Sequence, residues 1–136
     1  MARLPQYKKS AMIDTPTALL TAFLHAFSRL DLEGMLNYFT EDATAFLPAE
    51  HQRRRLEGKA AIRAAFATVL AKVRTKGMTN LPLDPEDFII DEWGDTAVAT
   101  FHLRGDHLSR RTVVLRCQAG EWRIIHLHAS NAPLGE

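Results

Sequence analysis

The hydrophobic period of this chain changes half-way along it, from helical to strand-like. Leu20, Phe23, Leu24 and Phe27 recur at helical spacing and predict one apolar stripe, with Thr15 as cap and Pro16 at the first helical position. Asp31 predicts the cap of a second, short helix with Glu33 in its first turn and Leu32, Met35, Leu36 and Phe39 on its buried face. Gly58 opens a third helix whose Ile62, Phe66, Val69, Leu70 and Val73 share one side, and Gly77 ends it. Between the last two, Ala43 to Pro48 reads as a short strand and His51 to Arg55 as a basic loop or a second short strand. Four runs at 86–92, 96–104, 109–117 and 121–129 then read as strands, joined by turn residues at Trp93-Gly94-Asp95, Gly105-Asp106 and Gln118-Ala119-Gly120. Helices followed by consecutive antiparallel strands predict an α+β fold: a curved antiparallel sheet with three helices on its concave face and a cone-shaped cavity between. Residues 1–13 read as a loose lead-in and residues 14–136 as one domain.

The last run carries the chemistry. Strict alternation from Trp122 puts Trp122, Ile124, His126, His128 and Ser130 on one face, and Arg123, Ile125, Leu127 and Ala129 on the other. Two imidazoles on an apolar strand need a polar setting: a pocket, a metal, a subunit interface or water. In the neighbouring runs, Val98, Thr100, His102 and Arg104 share a face, as do Arg111, Val113, Leu115 and Cys117. His102, Arg104, Arg111, His126 and His128 are therefore expected to converge on one concave surface able to hold an anion.

Composition narrows the class. The chain has 136 residues, 46% of them hydrophobic, which is enough for one packed core. Its 17 basic and 16 acidic residues leave a net charge of +1, which argues against nucleic acid or an anionic membrane as the main partner. Cys117 is the single cysteine, so no internal disulfide forms, and a reducing compartment is expected. No apolar stretch follows the basic N-terminus and none approaches the roughly 20 residues a bilayer requires. The expectation is a cytoplasmic domain without a secretion signal.

Asp31-Leu-Glu-Gly-Met-Leu-Asn-Tyr-Phe-Thr-Glu-Asp-Ala-Thr-Ala-Phe-Leu-Pro48 resembles the opening of NTF2-like (SnoaL-like) domains, and Leu56-Glu-Gly-Lys-Ala-Ala-Ile62 resembles the start of their third helix. The terminal Trp122-x-x-x-His126-x-His128-x-Ser130-x-x-Pro133, with Thr44-Ala-Phe-Leu-Pro48, is similar to the association domain of calcium/calmodulin-dependent kinase II and its bacterial stand-alone relatives. The resemblance spans about residues 15–133. It implies a cystatin-like (NTF2-like) cone that dimerises through its sheet, with higher rings in the kinase branch and a small-molecule pocket between helices and sheet. It also implies cavity arginines that bind small carboxylates. One such position falls on Val113, with Arg111 two residues away on the same face.

The same superfamily includes ketosteroid isomerase, polyketide cyclases and dehydratases, so the fold does not name a reaction. Isomerase chemistry needs a carboxylate base and acidic donors for the dienolate oxygen. Alignment to the family places Phe23 at the oxyanion tyrosine, Leu47 at the base, and the acid donor near Arg110. Neither a phenyl ring nor an isobutyl group transfers protons. Enzymatic turnover would have to use His102, His126 or His128 instead.

Each candidate has a structural counterpart. His126 and His128 serve equally as hydrogen-bonded residues of a sheet or dimer interface. Arg104 and Arg111 serve as a solvated hairpin, and Phe23, Phe27, Tyr38, Phe46 and Phe66 as core. His25 falls on a helix flank, and Cys117 is a small apolar filler. His-x-His without a third ligand predicts no metal, and no cofactor is expected. The leading expectation is a homodimer binding a small acidic or carbonyl compound near Arg104, Arg111, His102, His126, His128, Tyr38, Phe46 and Trp122. The rivals are a histidine-dependent enzyme and an oligomerisation module.

Overall fold

The computed structural model describes residues 14–48 and 52–135. The predicted lead-in and His51 lie outside them. Helix α1 spans Pro16–Ser28. Thr15 caps it, its hydroxyl accepting from the Ala18 N–H at 3.0 Å. Helix α2 spans Leu32–Leu36, and the Asp31 carboxylate accepts from the Gly34 N–H at 3.1 Å. A Cβ on Gly34 would collide with that carboxylate, which is why the Asp-x-x-Gly spacing closes here. The chain turns straight into strand β1, Phe39–Phe46. Phe39 is thus buried as predicted, but as the first residue of a strand rather than on the helix. The second strand, β2, is Leu56–Glu57, just beyond the basic loop. Helix α3, Lys59–Thr75, follows Gly58, whose φ of +94° favours glycine.

Strands β3 (Glu86–Trp93), β4 (Thr96–Arg104), β5 (Leu108–Gln118) and β6 (Glu121–Ala132) complete a six-stranded sheet of order β2-β1-β6-β5-β4-β3. All pairings are antiparallel except β1 with β6, which run parallel. Those two strands lie at opposite ends of the domain's sequence, so no tight turn dictates their relative direction.

The three helices cover one face of the sheet. Ala97, Ala99, Phe101 and Leu103 of β4, Val113 and Leu115 of β5, and Ala43 and Ala45 of β1 point into the core that α1 and α3 close. Phe23, Phe27, Phe39 and Phe66 form a ring of four phenyls with centroids 5.7–6.4 Å apart. Edge-to-face packing of this kind contributes beyond area burial alone.

Strand β6 departs from strict alternation. Leu115 pairs with Ile124, but Val114 pairs with His126, so Ile125 is an extra residue, a β-bulge. Trp122 and Ile124 face the core before it, and Leu127 and Ala129 face the core after it. His126, His128 and Ser130 therefore lie on the outer face, opposite Trp122 and Ile124, and the single shared face expected from the sequence does not exist. Leu127→Ala is expected to cost about 2–5 kcal/mol in urea unfolding, and Ile125→Ala less than about 1.5 kcal/mol. Equal costs would mean that the two side chains share a face and that the bulge is absent.

Candidate functional site

The sheet distributes the sequence-predicted residues over two faces. Alone among the five, Arg111 points inward. Its guanidinium carbon lies 5.8 Å from the Phe27 ring centroid, and its Nε donates to the Ser109 hydroxyl at 2.9 Å. Part of the residue is exposed, but the charged head is enclosed enough that burial lowers its pKa to about 10. It remains a cation at neutral pH. Among the described residues no carboxylate forms an ion pair with it.

His102, Arg104, His126 and His128 sit on the outer face. The cause is the two-residue period: in the β4–β5 ladder Arg111 opposes the inward Phe101, whereas His102 opposes Arg110. The expected convergence of both arginines and the histidines on one concave surface is therefore corrected. Arg104 pairs with the edge strand, its Nε and Nη2 donating to the Glu86 carboxylate at 3.1 and 2.9 Å. That contact holds the Glu86 carboxyl below its usual pKa.

Tyr38 and Trp122 are not near Arg111 either. Trp122 is buried opposite Cys117, and Tyr38 packs against the core where β1 begins. Arg111 pairs with Ala129, about 20 Å further along β6 than Trp122. Phe46 is an outer-face residue. Its ring lies 5.8 Å from that of His126 and 5.2 Å from that of His128. The Thr44 hydroxyl and His126 Nδ1 are 2.7 Å apart, in hydrogen-bond contact.

The outer face also carries a groove of about 480 Å³ near the β4–β5 hairpin. Thr100, His102, Arg110, Thr112, His128 and Ser130 line it, with Asp87 and Ile89 from β3; Phe101 and Arg111, whose side chains turn to the other face, complete the lining. His102 Nδ1 is 3.4 Å from Asp87 Oδ2. Arg110 Nε donates to the Ser130 hydroxyl at 3.2 Å. Arg110 and Asp87 went unnoticed as site residues in the sequence. The signal for Arg110 was its parity, one residue from Arg111 and hence on the histidine face. The signal for Asp87 is absent, because a bulge in β3 between Glu86 and Ile89 places it. Among the described residues, no group of three or more His, Cys, Asp or Glu side chains is arranged to hold a metal ion.

A sequence model of the SnoaL-like domain matches residues 17–135. The chain belongs to the SnoaL-like domain family. An NTF2-like protein of unknown function from Pseudomonas putida is 27% identical, with a TM-score of 0.71 over 88% of this chain and 84% of that one. A protein from Thiobacillus denitrificans that carries the name of a calcium/calmodulin-dependent protein kinase type II association domain is 24% identical. Its TM-score is 0.69 over 93% of this chain and 100% of that one. A protein from Parabacteroides distasonis named for ketosteroid isomerase is 18% identical, with a TM-score of 0.71 over 92% and 97% of the two chains. A search of curated proteins finds no match. The resemblance read from the terminal His-x-His-x-Ser and the Asp-Leu-Glu-Gly segments is thus upheld at the level of family and cystatin-like fold.

Within this SnoaL-like domain the two positions where the resemblance implied isomerase acid–base groups are apolar and buried. Phe23 is 1% exposed inside the phenyl ring cluster, and Leu47 is 7% exposed. No described helix is long and apolar enough to cross a membrane.

His126 has a pH consequence. Burial, followed by the neighbouring charges of His128 and Arg55, lowers its pKa below the usual histidine value, and the Thr44 contact opposes this only in part. The unfolded chain therefore takes up a proton first as pH falls. Stability present above about pH 6.5 is lost as pH drops toward the folded-state pKa. The melting temperature is expected to fall on acidification from neutral toward about pH 5, and less steeply in His126→Gln. Parallel melting curves of the two proteins would remove His126 as the cause.

Proposed function

We propose that this SnoaL-like domain is a homodimeric binding module whose helix-and-sheet interior takes a small acidic or carbonyl-containing molecule at Arg111. The observation that carries this reading is the enclosed guanidinium with a hydroxyl and a phenyl face as its described partners. An inward arginine without a counter-charge is costly, by several kcal/mol in a dry interior, and a carboxylate offsets that cost with two parallel hydrogen bonds. Phe27 and Phe101 supply apolar walls beside it.

Turnover ranks below binding. His102, His126 and His128 lie across the sheet from Arg111, so none of the three is a base for a ligand held there. The relatives named for isomerase or dehydratase are under 20% identical and share the fold alone. A single cysteine suits a reducing compartment, and the cytoplasm is the proposed location.

The test is a thermal-shift screen of small carboxylates at millimolar concentration. A ligand at 100 times its Kd stabilises by about 2.7 kcal/mol. Arg111→Met is expected to abolish the shift while leaving the unliganded protein at least as stable as the parent. Absence of any shift, or an unchanged shift in Arg111→Met, would sink the reading.

The dimer rests on the outer face. No described helix covers it, and Trp93 is 61% exposed there, beside Val98 and Val114. Asp91 at the β3 edge and Arg116 across the sheet give it opposite charges on its two sides, which a two-fold partner satisfies. Light scattering at tens of micromolar is expected to give twice the chain mass, and Trp93→Glu to weaken association at least about tenfold. A monomer at that concentration would remove the dimer.

A further inference from the structure

We propose that the outer-face groove is a second site, separate from Arg111, that takes a compact oxyanion, a carboxylate or a phosphate group, on Arg110. Register assembles it. His102, Arg110 and Ser130 lie directly opposite one another on β4, β5 and β6, and Thr100, Thr112 and His128 form the next row. Side chains opposite one another on a sheet face stand about 5 Å apart, so both rows reach one centre. The groove, at about 480 Å³, falls within the range of small-molecule sites.

The chemistry of the lining favours an anion. Arg110, three hydroxyls and two imidazoles offer donors. The Arg110 Nε bond to the Ser130 hydroxyl fixes one edge of the guanidinium and leaves its terminal nitrogens for a bidentate ligand. The groove's one carboxylate, Asp87, is engaged with His102. Asp87 has a φ of +54° at the β3 bulge, a conformation aspartate tolerates better than most residues. That bend brings the carboxylate to the imidazole, orienting the ring. Trp93, the most exposed apolar residue of the face, pairs with Thr96, some 20 Å along β4 from His102, so a second copy seated there leaves the groove accessible.

The experiment is an amide NMR titration of the whole chain with inorganic phosphate and, separately, acetate, at constant ionic strength with chloride as control. Saturable shifts at Thr100, Thr112 and Ser130 are expected in the millimolar range. They should weaken about tenfold in Arg110→Met and persist in Arg111→Met. Asp87→Asn, which removes the groove's negative charge, is expected to tighten binding. The anion that saturates at lower concentration identifies the ligand's head group. Linear, unsaturable shifts with both anions, or equal binding by the parent and Arg110→Met, would overturn the site. Loss in Arg111→Met with Arg110→Met unaffected would assign all anion binding to the interior and leave only the Arg111 reading standing.

Discussion

One inserted residue in β6, Ile125, decides which side of the sheet every later side chain of that strand occupies. Ahead of it, Trp122 and Ile124 seal the core; beyond it, Leu127 and Ala129 take over the same duty. Without the bulge the inward positions after Ile124 would be His126 and His128. Two imidazoles would then have to lose their water among phenyl rings, at a cost that apolar burial elsewhere does not recover. The bulge keeps both imidazoles off the core face and gives the outer face its polar character at the same stroke.

The two faces of the sheet consequently have different chemistries. Inside, the four-phenyl ring packs between α1, α3 and the sheet, and Arg111 stands at its edge against Phe27. Outside, histidines, hydroxyls and arginines lie in rows fixed by strand pairing, beside an apolar edge at Ile89 and Trp93. Arg110 and Arg111 are adjacent in the chain, yet they serve opposite faces because successive residues of a strand alternate where no bulge intervenes. An anion held by one is separated from the other by the thickness of the sheet.

Relatives of this fold carry names as different as an isomerase and a kinase association domain. The divergence fits a scaffold whose core and whose chemistry are separable. Phe23 and Leu47, where the resemblance implied proton-transfer groups, are both packed in the core here.

Much of the architecture was legible in the residues themselves. Thr15-Pro16, Asp31-x-x-Gly34 and Gly58 mark helix starts through local hydrogen bonding and backbone freedom, and the period-two runs mark β3 to β6. The buried faces of α1 and α3, with Phe23, Phe27 and Phe66, follow from spacing alone. The site was legible only in its members. His102, His126, His128, Arg104 and Arg111 could all be named, but strict alternation sent His126 and His128 to the face of Trp122, and no periodicity announces a bulge. Which residue is inserted depends on the pairing of β6 with β5 and β1, contacts between segments far apart in the chain. The same holds for Asp87, which reaches His102 through a bulge in β3. Local sequence determined which residues form helices and strands because those preferences act within a few residues. Tertiary structure decided which face each charged group occupies, because strand register is settled by long-range packing.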